Sequence, residues 1–247
     1  MAIQTQTYRP TMNAGQVYLK NNAINGPKVA VGNVSALALE ISEDEKTLTD
    51  YTQPGGGQWA ALSRISGINA SMTLHDLDPV NLARAVYGAS SAEAGATVSD
   101  ESHTAYQGGL LRLAHPNPTS VTVTSDPAGT TYVADTDYEV RPEGIMILGG
   151  AITDATAILV NYTYHDYDVI EALTTGSGIY ELTFGGLNEA NSNSPVILDI
   201  WRLQVSAASN LGFISDDFAS LELNGKVLMD PTKTGSGISR YFRVQMV

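Results

Sequence analysis

Two stretches of period-two alternation constrain this chain more than anything else in it. In VSALALEIS (Val34–Ser42), Ser35, Leu37, Leu39 and Ile41 oppose Val34, Ala36, Ala38, Glu40 and Ser42. Within Leu62–His75, Ile68, Ala70, Met72 and Leu74 fall on one side, and Asn69, Ser71, Thr73 and His75 on the other. Successive strand side chains point to opposite faces, so each stretch is a strand with one apolar face and one small or polar face. The second strand runs into a helix-start signal. Asp78 can cap the free backbone N–H groups, and Pro79 suits the first helical position, where its missing donor is not needed. Val80, Ala83, Val86 and Tyr87, with Leu82 beside them, form an apolar stripe before Gly88 closes the element. The spacing predicts a helix over 78–89, the one convincing helix in 247 residues.

The two strands are joined by EDEKTLTDYTQPGGGQW (Glu43–Trp59), charged at first and glycine-rich at the end. It reads as a loop well beyond the two to five residues of an ordinary hairpin connection. Residues 1–14 read as an N-terminal arm, and the low-complexity stretch Ser90–Ser102 as a linker. From Pro116 the composition shifts. Residues 119–164 hold four short strand patterns separated by DPAG, RPEG and TDAT turns, a small all-β unit. Long strands return from Ile179, and Asn224-Gly225 in DDFASLELNGKVLMD signals a hairpin turn. The fold expected is mainly β, a sandwich or barrel with one flanking helix and an immunoglobulin-like inserted module. One discontinuous domain covers 1–104 and 168–247, and the insert covers 105–167.

Composition narrows the function classes. The formal net charge is −13, the reverse of the basic footprint that stable nucleic-acid binding requires. There are no cysteines, hence no disulfide framework and no thiolate metal site. Met1–Pro10 lacks a basic start followed by an apolar run, so no secretory leader is expected, and no window suits a membrane span. Charged residues are only 16% of the chain, which suits a surface that largely meets other protein.

No catalytic motif emerges. The histidines (His75, His103, His115, His165) are dispersed, and no GxSxG elbow or phosphate loop is present. No enzyme activity and no cofactor are expected. Asp135, Asp137 and Glu139 would share one strand face and could hold a hard cation, which keeps a metal-dependent enzyme as one alternative. Another is a virion-surface β-sandwich module that binds a host cell-surface glycan or receptor through Tyr132, Tyr138, Tyr162 and Tyr164, although these tyrosines alternate as strand core would.

Three pieces of the chain, taken in order, resemble a phage major tail tube protein. They are the strand, extension, strand and helix of GNVSALALEISEDEKTLTDYTQPGGGQWAALSRISGINASMTLHDLDPVNLARAVYG, the pair SGIYELTFGGLNEANSNSPVILDIWRLQVSAAS, and DDFASLELNGKVLMD. The resemblance covers roughly 1–100 and 170–247 and extends to the related type VI secretion tubes; the insert departs from the minimal family pattern. It implies rings that stack into a hollow tube, with inner strands Val34–Ser42, Leu62–His75, Pro195–Ser206 and Phe218–Val227 lining the passage for genomic DNA. Lumen candidates are then Glu40, Asn69, Ser71, Thr73 and Glu222, with Asp199 a weaker one. Contacts between subunits or rings fall to Glu43, Asp44, Glu45, Leu48, Tyr51, Gln53, Pro54 and Trp59. The implied partners are other copies of the chain (six to a ring, or three), together with tape-measure, tail-terminator and distal-tail or baseplate proteins. DNA passes without stable binding. The implied location is the virion, after synthesis in the host cytoplasm.

Overall fold

The computed structural model describes residues 10–247, so the arm residues Met1–Arg9 lie outside it. The chain is mainly β, with one helix among the described residues. In chain order the elements are β1 (Asn13–Asn21), β2 (Val29–Ala30), β3 (Val34–Thr49), β4 (Gln58–Leu74), α1 (Pro79–Ala85), β5 (Ala89–Glu93), β6 (Thr97–Ala105), β7 (Leu110–Arg112) and β8 (Thr119–Ser125). They continue with β9 (Tyr138–Arg141), β10 (Gly144–Ile147), β11 (Thr156–Thr163), β12 (Tyr167–Glu171), β13 (Ile179–Asn188), β14 (Ser194–Val205), β15 (Leu221–Val227) and β16 (Phe242–Met246). Two compact units result: residues up to Ser90 together with Ile170–Val247, and Ser91–Val169.

The first unit is built on one eight-stranded sheet in the order β2-β1-β13-β14-β15-β4-β3, with β16 pairing β14 off this path. All its pairings are antiparallel. The apolar side of the alternation forms the core: Leu19, Met72, Leu74, Leu182, Ile200 and Leu221 are among its almost fully buried members.

The helix is shorter than the sequence suggests. Asp78 caps it, its carboxylate accepting from the Asn81 amide N–H at 2.7 Å, and α1 ends at Ala85 with Val86 as its cap. Its buried face also differs, because Asn81, Ala83 and Ala85 point inward and Val80 is exposed. Asn81 is tolerated there because its side-chain amide donates to the carbonyls of Val31 and Asp76, and its oxygen accepts from Arg84. A buried amide thus ties the helix to the chain entering β3.

Asn224-Gly225 is not a turn. Both residues sit mid-strand in β15, where Gly225 pairs with Ala70 of β4 and Val205 of β14. A Cβ at Gly225 would lie 2.7 Å from the Gln204 carbonyl oxygen. The glycine serves close approach of three strands, which is the other physical use of that residue. Phe218, expected in this strand, lies in the preceding loop and is exposed.

The second unit has two three-stranded sheets, β7-β10-β9 and β6-β11-β8, which share one core that includes Ile145, Ile147, Ile158 and Val160. Much of the expected linker Ser90–Ser102 is strand: β5 pairs with β12, and β6 pairs with β11 from Thr97↔Thr163 to Ala105↔Thr156. The division therefore falls at Ser90 and Val169, where the sequence reading placed it at 104 and 168. Polar residues of β6 disguised it, and the structure shows why they are tolerated. The Glu101 carboxylate accepts from Tyr162 Oη at 2.6 Å, from the Ala114 N–H at 3.0 Å, and lies 2.7 Å from His103 Nε2.

Burial pushes the Glu101 carboxyl up, but the bonds from Tyr162, His103 and Ala114 outweigh it and keep the group below its usual range. A depressed folded-state value stabilises above the unfolded value of about 4.5 and loses that contribution as pH falls through the folded one. Glu101→Gln should destabilise the second unit by about 1–3 kcal/mol at pH 7. Thermal unfolding measured from pH 7 to pH 3 should show wild type losing part of its advantage over the variant below pH 4.5. A constant difference across that range would remove Glu101 from this role.

Candidate functional site: the polar sheet face and the hairpin extension

The four strands β14, β15, β4 and β3 are consecutive neighbours, and their register brings the polar side chains into rows. One row runs Gln204, Lys226, Asn69, Glu40 across all four strands. The next two run Asn224, Ser71, Ala38 and Glu222, Thr73, Ala36 across β15, β4 and β3. On the opposite face Leu223, Met72 and Leu37 pair in the same register and belong to the core. Glu40, Asn69, Ser71 and Glu222 are exposed, and Thr73 is half-buried. Around Asn69 and Ser71 the surface dips into an open groove of 290 Å³, walled also by Glu40, Ser206, Asn224 and Lys226.

Five of the six residues expected on this face are therefore brought together, and Asp199 is not among them. It lies on β14 at 8% exposure. One carboxylate oxygen pairs with Arg243 Nη2 at 3.0 Å, and the other accepts from the Thr183 hydroxyl at 2.9 Å. Asp199 thus holds β13, β14 and β16 together instead of facing open solvent.

Sequence reading missed Lys226, Asn224 and Gln204. Reading Asn224-Gly225 as a turn broke the alternation of LELNGKV. Taken as one strand, its period two would have placed Glu222, Asn224 and Lys226 on a single face. These three rows then carry charges of both signs, two carboxylates and one ammonium, among amides and hydroxyls.

The expected long loop Glu43–Trp59 is largely a continuation of β3 and β4. Glu43, Asp44, Glu45 and Leu48 lie in β3, paired with Ile65, Arg64, Ser63 and Ala60, and Trp59 lies in β4. Only Asp50–Gly57 forms the tip, and it contains Tyr51, Gln53 and Pro54. The Asp50 N–H donates to the Gly57 carbonyl at 2.7 Å. The Thr52 hydroxyl and N–H both donate to the Asp50 carboxylate and lower its pKa. Among the described residues no third strand joins this ladder beyond Ile68, and nearly every residue of it there is exposed on both faces. Such a ribbon shows no apolar alternation, so its sequence resembles a loop. It nevertheless exposes large apolar groups: Leu48, Tyr51, Trp59, Leu62 and Ile65 are each more than half exposed.

The residues of the alternative sites are used otherwise. The Asp137 carboxylate accepts from the N–H groups of Val133 and Ala151, Glu139 pairs with Arg141 at 3.0 Å, and Asp135 sits at positive φ outside β9. The three carboxylates do not share a strand face, because β9 begins only at Tyr138. Tyr132, Tyr138 and Tyr162 are buried in the core of the second unit, so they offer no aromatic surface to a glycan, and Tyr164 is partly buried, with His115 stacked at 3.8 Å. Among the described residues no helix is long and apolar enough to cross a membrane.

No curated protein matches this chain. A family model described as Protein of unknown function UCP028589 matches residues 10–245, which takes in both units, and the chain belongs to that family.

Proposed function

We propose that this chain is a structural virion subunit, which self-assembles into stacked rings forming the hollow tube of a phage tail through which genomic DNA is delivered. The observation that carries the reading is the β3–β4 ladder. Its inner half has one face in the core and one polar face open, and its outer half leaves both faces, with their apolar groups, uncovered. An isolated two-stranded ribbon is marginal in water and a third strand or packed surface is needed to stabilise it. Exposed apolar surface of this kind marks a contact with other protein.

In this reading the polar rows of β14, β15, β4 and β3 line the tube. DNA must pass such a wall without adhering. Glu40 and Glu222 repel phosphates, while the lone Lys226, between Asn69 and Gln204, is too little positive charge for stable binding. Most of the net negative charge lies elsewhere: Ser91–Val169 holds eleven acidic and two basic residues. The wall would therefore act through few charges, and single substitutions there should be felt. Tape-measure, terminator and distal-tail or baseplate proteins would complete such a tail.

Two outcomes are expected. Replacing Glu45–Ser63 by Asn-Gly, which joins the Asp44–Arg64 pair through a tight turn, should leave a folded monomer that forms no tubes; sedimentation and circular dichroism would check both halves. Tubes of normal length from this variant would exclude the hairpin as the assembly element. Glu40→Lys combined with Glu222→Lys should leave tubes intact and slow DNA ejection from assembled particles by about tenfold or more. Ejection at the wild-type rate would take these two residues off the wall.

A further inference from the structure

The hairpin extension needs a surface to cover it, and the structure offers one of opposite character. On the first unit, Trp201 of β14 lies beneath two cations, Lys233 Nζ at 4.2 Å and Arg243 Cζ at 5.2 Å from its ring centroid. Its indole N–H donates to the Ser239 carbonyl at 3.1 Å, which fixes the ring. Around it Met229, Ile238 and Tyr241 are 43%, 54% and 37% exposed. Arg202 donates to the Met229 carbonyl, and Arg240 reaches the Met229 sulfur, so both guanidinium groups border the same patch. Four cations stand there against the carboxylates of Asp199 and Asp230. In a chain of net charge −13 this is a locally positive surface with an aromatic and aliphatic centre. Trp, Tyr, Met and Arg are the residues enriched where proteins meet.

The extension is its complement. Ser42–Gly67 carries Glu43, Asp44, Glu45 and Asp50 against Lys46 and Arg64, with Trp59, Leu62 and Ile65 exposed among them. Its 26 residues match the roughly 20–30 that one partner contributes to a standard interface. Among the described residues the apolar groups of the extension, and Met229, Ile238 and Tyr241 of the patch, stay exposed.

We propose that the hairpin extension of one copy docks on the Trp201 face of a neighbouring copy. The carboxylates of β3 meet Arg202, Lys233 and Arg240, and the apolar side chains of β4 cover Met229, Ile238 and Tyr241. Donor and acceptor surfaces are different, so the contact is head-to-tail and repeats from copy to copy instead of closing a dimer. The inference rests on the self-assembly reading and adds to it the surface that receives the extension.

The absence of cysteine makes the test direct. Ser63→Cys in the extension and Thr234→Cys beside the patch, mixed as two single-cysteine proteins, are treated with a thiol-specific bifunctional cross-linker after assembly. A covalent dimer of the two variants is expected, far more abundant than with Ser63→Cys and a control Ala128→Cys in the second unit. Separately, Glu45→Lys should weaken association by about tenfold, and adding Arg240→Glu to the same chain should restore it. Assemblies that form without the specific cross-link and without charge rescue would overturn the docking assignment alone. Wild-type chains that never associate would overturn the self-assembly reading and this inference with it.

Discussion

The pairing of β3 with β4 organises the first unit, because the same register sets both its core and its polar face. One continuous antiparallel ladder runs from Val34↔Leu74 to Thr49↔Gln58, broken by three register shifts. Its inner half supplies Ile68, Ala70, Met72 and Leu74 to the core and sets the register of β15, and through β15 meets β14. The same alternation that buries these residues must place Glu40, Asn69, Ser71 and Thr73 on the other face. A one-residue slip would exchange the two sets, so the polar face is a geometric consequence of the core. The outer half obeys the same hydrogen bonding without the same burial, so among the described residues its apolar groups stay exposed.

What was legible in the sequence was whatever one-sided burial imprints on it. The strands around Leu37–Ile41 and Ile68–Leu74 were readable because one face is apolar and the other is not. Asp78-Pro79 was readable because capping and the missing proline donor are local chemistry. The errors share a cause: in each, an environment supplied by distant residues replaced the local signal. The charged EDEKTLT is strand because WAALSRI pairs with it. Asn224-Gly225 is strand because β14 approaches too closely for a side chain. Ser90–Ser102 is mostly strand because Tyr162 and Ala114 satisfy Glu101. Asn81 replaces Val80 on the inner face of the helix because carbonyls of Val31 and Asp76 await its amide.

The candidate surfaces followed the same division. The polar-face set depended on alternation and the structure brings most of it together; Asn224 and Lys226 were hidden by the misread turn, and Gln204 lies apart on β14. Asp199 was misplaced because no pattern within a strand announces an ion pair with Arg243, which is 44 residues away. The distribution of charge also changes the physical picture. The acidity of the chain belongs largely to the second unit, while the polar sheet face is nearly balanced and the Trp201 patch is positive. On the proposed function, passage of DNA and association of copies would be governed by different, locally arranged charges, and not by the net charge of the chain.

Whether the chain self-assembles is read out by negative-stain electron microscopy of the purified protein over a concentration series. Rings that stack into hollow tubes as concentration rises are expected, with the ring symmetry visible in end views. Folded monomers at every concentration, in a buffer where the second unit retains its pH-dependent stability, would contradict it.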